Sequence, residues 1–582
     1  MLQSLARTAP IPAPGRGAKR LRGALAGAVA AAGLGAAGLG AASAAPATAT
    51  APATAAAPAT ATETASAGTP SAASAVTMLA AAATLPTRAA PKRSAPRRSA
   101  RPARRAGAAP AARPAAAATA EPASAARGDG RADVVIADIE RVVEATGIRA
   151  DQYGLMIRPL DGGTLAADHQ PGKPLNPAST MKLVTTHAAL SLLGPEYRWK
   201  TAIYTSGRQD GDALDGDLIV KGGGDPKLVI EDITEIMHKL RLAGLRQIRG
   251  DLVVDDSLFA AGPERLASFD GDHSQPYNVR PYAALMNFKA TKFVVDPKSR
   301  SVTLDPPLAD VRIDNQVKVL TGRCRPGATG FTIDDELGTE SRPLIRVSGT
   351  QVKACGEQHF YAAALSHRQF IGGLLKAAWK NAGGVLEGTT RIEPGVASGD
   401  PYLEWESPRT LADIVRDVNK YSNNVMARML LLQLAAQTHA GAPATLDDAR
   451  AVLHGFYERQ GLPLPSLVIE NGSGLSRIER ISAADLVAIL QLADQSPTAA
   501  LFRDSLPQVG IDGTMRARLR RDPVAGHAQI KTGTLRDVRA IAGYVTAASG
   551  ARYAVALLIN GPYAEGAGKA QDAVLRWVHQ HG

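Results

Sequence analysis

Residues 177–182 read Pro-Ala-Ser-Thr-Met-Lys, and the apolar side chains that follow them recur at roughly helical spacing. This pattern predicts that Ser179 and Lys182 share one face of the first turn of a helix, with a hydroxyl beside an amine. A lysine can activate a serine for nucleophilic attack only if burial or nearby positive charge keeps the amine neutral near pH 7. Because an ordinary serine and a surface lysine would give the same pattern, the hypothesis requires partner residues elsewhere in the chain.

Two further polar clusters are candidates for these partners. Residues 422–424, Ser-Asn-Asn, fall between two predicted helices, and residues 531–534, Lys-Thr-Gly-Thr, fall on a predicted strand. An acyl-transfer site built on a Ser-Lys pair needs a second polar cluster to pass a proton to the leaving group, and positive charge facing the substrate. Gly533 suits such a strand, since its missing side chain lets a substrate backbone approach. Ser-x-x-Lys, Ser-x-Asn and Lys-Thr-Gly each occur once, in that order, which argues against a chance origin of the set.

The regular elements predicted around these clusters indicate an α+β fold. Two strands, 155–158 and 164–167, flank a glycine-rich hairpin turn. Three more strands, 529–534, 541–546 and 553–560, lie near the end of the chain, and helical patterns precede them. The strands therefore predict one antiparallel sheet whose members come from both ends of the folded segment.

The block of residues 202–401 has a different pattern, since short strand-like runs and turns predominate in it. Two helical stretches, 231–243 and 361–382, interrupt these runs. We interpret the block as an insertion that carries one or two mostly β subdomains. Both cysteines of the chain, Cys324 and Cys355, lie within it.

The two cysteines can pair in an exported protein. Closing a loop of about 32 residues would then stabilise the fold by ~3–4 kcal/mol in the chain-entropy model. Two buried free thiols are the alternative. Neither cysteine has a Cys or His neighbour at metal-ligand spacing, and His-Glu-x-x-His does not occur, so the sequence predicts no zinc site and no cofactor.

The N-terminal residues 1–45 have the features of an export signal. Basic residues up to Arg22 precede an uncharged run at 23–40 and the small-x-small sequence Ala-Ser-Ala at 42–44. We expect export to the periplasm or another extracytoplasmic part of the envelope; a retained membrane anchor and a merely Ala-rich leader are the alternatives. Residues 46–132 are rich in Ala and Pro with few large apolar side chains, and are predicted to form a disordered linker.

The positive charge of the chain is concentrated in this N-terminal arm. Residues 1–132 carry a net charge of +13 against +12 for the whole chain, so the predicted folded part is nearly neutral. A nucleic-acid-binding domain needs a basic face on the fold itself, and we therefore expect no nucleic-acid partner. Residues 88–113 hold nine Lys or Arg and no acid, and could weakly attract anionic envelope polymers or lipid headgroups, or act as a solvated spacer.

The three motifs resemble those of the penicillin-binding proteins and serine β-lactamases, which carry the same set in this order. The long block between Ser179 and Ser422 is similar to the D-alanyl-D-alanine carboxypeptidase/endopeptidases of peptidase family S13, in which two extra domains follow the Ser-x-x-Lys helix. Residues 224–226, Gly-Asp-Pro, and 471–477, Asn-Gly-Ser-Gly-Leu-Ser-Arg, also resemble sequences of that group. The resemblance covers about residues 135–580 and does not include the arginine-rich linker.

The resemblance implies a penicillin-binding/serine β-lactamase-like domain formed by residues 133–201 and 402–582, with the inserted domains at 202–401. It also implies that Ser179 attacks the carbonyl between the two terminal D-alanines of a peptidoglycan stem peptide, with Lys182 as general base. Ser422 would relay the proton to the departing D-alanine. Asn424 would hold the lysine and the substrate amide.

For substrate binding, the resemblance implies that the strand Lys531-Thr532-Gly533-Thr534 receives the substrate, with Lys531 and Thr534 binding its carboxylate. The backbone N–H groups of Ser179 and Thr534 would form the oxyanion hole. Arg477 would help to recognise the substrate, or it is a surface arginine in a turn. Water would then hydrolyse the acyl-enzyme, whereas a β-lactam antibiotic would leave a long-lived adduct.

Two other functions are left open as alternatives. A serine β-lactamase shares the three motifs, but it needs a fast route for water to the acyl-enzyme, and the sequence offers no convincing glutamate loop for this. A wall-binding or scaffolding protein with a catalytically silent site belongs to a different class. Carboxypeptidase and endopeptidase activities use the same chemistry, and their balance depends on the inserted domains.

Overall fold

The structure, a computed structural model, describes residues 131–582 except 162, 261–268, 439–440 and 563. The predicted signal peptide and all but the last two residues of the predicted linker therefore lie outside the described residues. Within the described part of the chain, each helix is too short or too polar to cross a membrane.

Helices in the described residues lie mostly before and after the predicted insertion. They are α1 (Arg131–Glu144), α2 (Met181–Leu193), α3 (Ile230–Leu242), α4 (His367–Asn381), α5 (Leu411–Tyr421), α6 (Asn424–Thr438), α7 (Leu446–Arg459), α8 (Ala483–Asp494), α9 (Ala499–Ser505) and α10 (Gly568–His581). Local capping sets several helix starts. The hydroxyls of Thr410, Thr445 and Ser482 accept the backbone N–H three residues further on, at the first turns of α5, α7 and α8.

Strands fill the middle of the described chain and recur at its end. They are β1 (Tyr153–Asp161), β2 (Ala167–His169), β3 (Lys200–Thr205), β4 (Arg208–Asp210), β5 (Ala213–Asp215), β6 (Leu218–Lys221), β7 (Gln247–Ile248), β8 (Leu252–Asp255), β9 (Thr291–Asp296), β10 (Ser301–Asp305), β11 (Arg312–Leu320), β12 (Gly330–Thr339), β13 (Arg342–Val352), β14 (Gln358–Ala362), β15 (Val385–Leu386), β16 (Thr390–Ile392), β17 (Leu403–Glu406), β18 (Ala528–Leu535), β19 (Val538–Thr546) and β20 (Arg552–Asn560).

A five-stranded antiparallel sheet, ordered β18-β19-β20-β1-β2, joins the two ends of the folded segment. The pairing of Tyr153 with Ile559 starts the β1–β20 ladder. The predicted sheet is thus confirmed, with one correction. The second strand is Ala167–His169 and not 164–167, because the preceding Leu165 packs as a loop residue against the core beneath the sheet.

Both faces of this sheet are covered. On one face, Val555, Leu557 and Ile559 of β20 pack with apolar residues of α1 and α10. On the other face, Ala556 and Leu558 join the large core formed by α2 and α5 to α8. A strand buried on both faces is expected to be apolar throughout, which explains why β20 shows little alternation of polar and apolar residues.

The inserted block begins and ends on paired strands. Leu403 of β17 pairs with Ile203 of β3, so the chain enters and leaves the block side by side. These strands belong to a sheet ordered β16-β8-β6-β3-β17, whose apolar residues pack with α3 and α4. β6, β8 and β16 are parallel, an arrangement that the predicted mostly β subdomains did not include. The predicted domain boundaries themselves remain predictions.

The rest of the block contains three further sheets, ordered β15-β7-β5-β4, β10-β9-β14 and β11-β13-β12. The helical stretch predicted at 361–382 is shorter in the structure. Its first residues belong to β14, which pairs with β9, and α4 begins only at His367, after the capping hydroxyl of Ser366. A disulfide joins Cys324, after β11, to Cys355, after β13.

Removing the disulfide should destabilise this subdomain selectively. Since the bridge spans a sequence separation of 31 residues, the Cys324→Ser/Cys355→Ser double variant should lower the local free energy of unfolding by ~3 kcal/mol. Hydrogen exchange followed by mass spectrometry should show faster exchange in β9 to β14 and unchanged exchange in β18 to β20. Unchanged exchange in β9 to β14 would contradict the expectation.

Candidate active site

Ser179 lies in a short 3-10 turn, Ala178–Thr180, immediately before α2. Ala178 adopts a left-handed backbone with φ of 44°, a conformation that is strained for a residue with a side chain. Two hydrogen bonds hold the turn: the backbone N–H of Ala178 donates to Asn176 Oδ1 at 2.9 Å, and the Thr180 hydroxyl donates to the carbonyl of Pro177 at 2.8 Å. The surrounding contacts thus maintain a strained turn at the predicted nucleophile.

Asn176 connects this turn to two other parts of the fold. Its side-chain amide donates to the Ser476 carbonyl at 2.8 Å. Its backbone N–H donates to Asn560 Oδ1 at 2.7 Å, and the Asn560 amide donates back to the Asn176 carbonyl at 3.0 Å. The turn is therefore fixed to the end of β20 and to the segment 470–479.

The side chain of Lys182 is fully buried beside Ser179. Its Nζ lies 3.0 Å from Ser179 Oγ and 2.7 Å from Asn424 Oδ1, and it also contacts the carbonyl oxygen of Ser473. The serine and lysine predicted to lie side by side do so, with one correction: Ser179 belongs to the 3-10 turn that precedes α2, and only Lys182 lies in the α-helix. Asn424, the first residue of α6, completes the contact set from some 240 residues further along the chain.

The electrostatic surroundings of Lys182 oppose its protonation. Burial, followed by the positive charges of Lys531 and Arg428, holds the pKa of Lys182 well below its ordinary value, while the charge of Glu479 acts in the opposite direction. A buried amine whose pKa is lowered in this way can be neutral at physiological pH. It can then accept a proton from the adjacent hydroxyl.

Ser422 occupies a second strained position, with φ of 60°, at the C-terminal end of α5. The next residue, Asn423, caps α6 through a hydrogen bond from the Met426 N–H to Asn423 Oδ1, at 3.0 Å. Between the two helices, Ser422 Oγ accepts a hydrogen bond from Lys531 Nζ at 2.8 Å. The site therefore contains two serine–lysine pairs.

Lys531 reaches this pair from β18, which lies at the edge of the sheet. Its side chain is fully buried, and burial lowers its pKa to about 7. Two residues further on, Gly533 passes close to the nucleophile turn: a Cβ here would lie 2.5 Å from the Pro177 carbonyl oxygen and 3.0 Å from the Ser179 nitrogen. Only glycine allows this approach without displacement.

The two threonines of the strand motif, Thr532 and Thr534, do not contact the nucleophile turn in the same way as Gly533. The Thr532 hydroxyl lies 2.9 Å from that of Thr514, which belongs to the 3-10 turn Gly513–Met515 after α9. Thr534 is exposed. Thr514 had no distinguishing pattern in the sequence, and the structure alone places it at the site.

The segment 470–479 forms a wall of the site. Gly474 has φ of +79°, and a Cβ at this position would lie 1.8 Å from the Ala178 carbonyl oxygen. Glu479 is fully buried and accepts the backbone N–H groups of Glu470, Asn471 and Gly472 on Oε1 at 3.2, 2.9 and 2.8 Å. The glycines of this segment were visible in the sequence, whereas the position of Glu479 was not.

Arg477 lies at the rim of the site, about half exposed. Its guanidinium forms an ion pair with Asp537 at 3.1 Å and stacks over the ring of Phe269, 4.2 Å from its centroid. Its contacts therefore connect the site wall to the inserted block, and do not include the two serine–lysine pairs.

A cavity of about 610 Å³ adjoins this wall, between the segment 428–478 and loops of the inserted block. It shares Asn471, Leu475 and Arg477 with the site. Its described lining contains one carboxylate, Glu470, and several basic side chains: His273, Arg280, Lys289, His367, Arg428 and Arg477. In the described part of the chain, no group of acidic, histidine or cysteine side chains could hold a metal ion.

Comparison with known proteins identifies relatives of this arrangement. The model of the D-Ala-D-Ala carboxypeptidase 3 (S13) family matches residues 135–581. A D-alanyl-D-alanine carboxypeptidase of Actinomadura sp. (strain R39) is 28% identical over 459 residues, which cover 75% of this chain and 83% of that protein. The crystal structure of penicillin binding protein 4 (dacB) from Haemophilus influenzae, at 21% identity, has a TM-score of 0.65, covering 76% of this chain and 99% of that one. A second structure of that protein, complexed with a β-lactam, has a TM-score of 0.61 at 20% identity, covering 75% and 99%.

Substituting Gly474 should inactivate the site through the nucleophile turn. The Cβ in Gly474→Ala would displace Ala178 and therefore Ser179, and we expect labelling by a fluorescent penicillin to slow about 100-fold. Gly461→Ala is the matched control: Gly461 also has a left-handed backbone, with φ of +75°, but a Cβ there would meet no atom of the described residues within 4 Å. Backbone strain should cost each variant about 1–2 kcal/mol of stability, and the displacement of Ala178 should cost Gly474→Ala more. Equal labelling rates in the two variants would exclude this role of Gly474.

Proposed function

This chain belongs to the D-Ala-D-Ala carboxypeptidase 3 (S13) family, and we propose that Ser179 is its nucleophile and Lys182 its general base. The protein is accordingly a serine-type D-Ala-D-Ala carboxypeptidase. The observation that carries the assignment is the fully buried Lys182 amine, 3.0 Å from Ser179 Oγ. A lysine held in this way beside a hydroxyl, with its protonated form disfavoured, is suited to act as a base.

In the proposed reaction, Ser179 Oγ attacks the carbonyl carbon between the two terminal D-alanines of a peptidoglycan stem peptide. Lys182 Nζ takes the hydroxyl proton as the new C–O bond forms. The backbone N–H groups of Ser179 and Thr534 stabilise the negative charge that develops on the carbonyl oxygen. The closeness of Gly533 to the Ser179 nitrogen supports this pairing of turn and strand.

Collapse of the tetrahedral intermediate breaks the C–N bond and needs a proton on the departing D-alanine. In this proposal, Ser422 relays to the nitrogen the proton that Lys182 took from Ser179, so that the Ser422 hydroxyl and the neutral Lys182 are both restored. The 2.8 Å bond from Lys531 to the Ser422 hydroxyl supports this role. Asn424 keeps Lys182 in position through the 2.7 Å bond to its side-chain oxygen. Water then hydrolyses the acyl-enzyme and regenerates Ser179.

The free carboxylate of the terminal D-alanine is bound, in this proposal, by Lys531, Thr532 and Thr534 on β18. A cation fixed in a buried site is a strong partner for a carboxylate. The Thr514 hydroxyl, 2.9 Å from that of Thr532, orients the latter. A β-lactam presents a similarly placed carboxylate and a reactive amide, and acylates Ser179 to give a long-lived adduct.

The remainder of the stem peptide is proposed to lie in the cavity beside segment 470–479. Four arginine and lysine side chains, Arg280, Lys289, Arg428 and Arg477, line it against the one described acidic residue, Glu470. Stem peptides carry carboxylates, so this charge balance fits them. Arg477 thereby contributes to substrate recognition from the rim of the site.

Assembled peptidoglycan lies outside the cytoplasmic membrane. We therefore propose that the protein acts in the periplasm or another extracytoplasmic part of the envelope, and that residues 1–45 act as a signal peptide. Weak contact of the arginine-rich residues 88–113 with anionic envelope polymers is part of the same proposal. The balance between carboxypeptidase and endopeptidase activity depends on the inserted block.

Ser179→Ala should abolish both reactions of the site. We expect covalent labelling by a fluorescent penicillin and D-alanine release from a pentapeptide ending in D-Ala-D-Ala to fall by at least about a thousandfold. Ser191→Ala, an exposed serine on the same helix, is the control and should behave as the wild type. Persistent labelling of Ser179→Ala would refute the assignment of the nucleophile. Rapid turnover of the penicillin by the wild type would instead favour the β-lactamase alternative.

The carboxylate-binding role of Lys531 predicts a pH dependence. Because burial lowers the pKa of Lys531 to about 7, the free enzyme should lose its cation, and with it carboxylate binding, as the pH rises through that value. We expect kcat/KM for the pentapeptide to fall on the alkaline side of about pH 7. The alkaline fall in kcat should occur at a higher pH than the fall in kcat/KM, since the bound substrate carboxylate stabilises the protonated form of Lys531. A kcat/KM that is constant from pH 7 to 9 would argue against this role.

A further inference from the structure

Glu479 is a buried carboxyl group that the proposed reaction does not use. Its side chain is fully buried in the site wall, where Oε1 accepts three backbone N–H groups of residues 470–472. The other oxygen, Oε2, is buried as well and accepts no hydrogen bond within the described part of the chain. Burial raises the pKa of Glu479 above its ordinary value, while the hydrogen bonds from the three backbone N–H groups and the positive charge of Lys182 favour the carboxylate.

The segment that Glu479 holds is the one that touches the catalytic lysine. The Gly472 carbonyl accepts the hydroxyl of Thr185 on α2 at 2.8 Å, and the next residue, Ser473, offers its carbonyl oxygen to Lys182 Nζ. Glu479 thus holds residues 470–472, directly before the residue whose carbonyl oxygen contacts Lys182. A glutamine would be sufficient to accept the three N–H groups, so the negative charge needs a separate explanation.

The charged groups around Lys182 provide that explanation. Lys531 on β18 and Arg428 on α6 both repel a protonated Lys182, and Glu479 attracts it. Arg428 also interacts with Glu479 and with Glu470, whose carboxylate faces the cavity. A site with two further cations and no counter-charge would make the protonated lysine very costly at the moment it is formed.

We propose that Glu479 is a positioning residue that acts through Lys182, as the buried counter-ion of the ammonium formed when the lysine takes the Ser179 proton. This inference rests on the proposed roles of Ser179 and Lys182. The proton moves from Ser179 Oγ to Lys182 Nζ, and Glu479 gains and loses none. Before the transfer, Lys531 and Arg428 keep the amine neutral; after it, Glu479 limits the electrostatic cost.

The test separates the effect of the negative charge of Glu479 from the effect of its hydrogen bonds to the backbone. Glu479→Gln removes the charge and keeps an oxygen for the N–H groups, whereas Glu479→Asp keeps the charge on a shorter side chain. Glu458→Gln, an exposed glutamate on α7, is the matched control. The second-order rate of labelling by a fluorescent penicillin is measured from pH 4 to 9 for each variant, together with the unfolding temperature.

Loss of the carboxylate leaves the two repelling cations unopposed, so the pKa of Lys182 falls further. In Glu479→Gln, the acidic limb of the labelling profile should therefore move to lower pH by about one unit, and the plateau should fall about tenfold because the base is weaker. Glu479→Asp should keep the limb of the wild type even if its rate changes. Glu458→Gln should match the wild type throughout.

If the acidic limb of the labelling profile is unchanged in Glu479→Gln and only the unfolding temperature falls, the inference is overturned. Glu479 would then have a purely structural role. If that variant does not fold, a limb in Glu479→Asp that moves to lower pH would overturn it equally. Failure of the proposed function looks different, because labelling would then persist in Ser179→Ala.

Discussion

The proposed chemistry depends on the burial of the Lys182 amine against Ser179. Moving an ammonium ion out of water is very costly, and a second buried lysine nearby, Lys531, raises that cost further. The neutral amine avoids most of it and has a free lone pair to accept a proton. Burial, which would be destabilising for an ordinary lysine, therefore provides the base that the proposed reaction requires.

The fold maintains this arrangement because parts distant in sequence meet at one point. The helix α2 and the turn before it present Lys182 and Ser179, the junction of α5 and α6 presents Ser422 and Asn424, and the edge strand β18 presents Lys531. The sheet joins both ends of the folded segment and is apolar on both faces, so hydrophobic burial on a large scale offsets the local cost of buried charge and strained backbone.

Sequence patterns were sufficient to predict the antiparallel sheet and the neighbourhood of Ser179 and Lys182. Apolar periodicity and short motifs are local signals, and both predictions depend on them. The approach of Gly474 to Ala178 and of Thr514 to Thr532 depends on contacts between distant segments, which no local pattern encodes. The same limit applies to Glu479, which resembles any surface glutamate in the sequence. The parallel pairing of β6, β8 and β16 was not predicted, because short apolar runs do not reveal the direction of their partners.

The protonation state of Lys182 itself tests this explanation most directly. It can be followed by NMR in protein labelled with ¹³C at the lysine Cε, with the Lys182 signal assigned by its absence in Lys182→Arg. We expect the signal of a neutral amine at pH 7, which changes to that of the ammonium only at lower pH. A signal that titrates near the value of an exposed lysine, about 10.4, would contradict the role of Lys182 as general base.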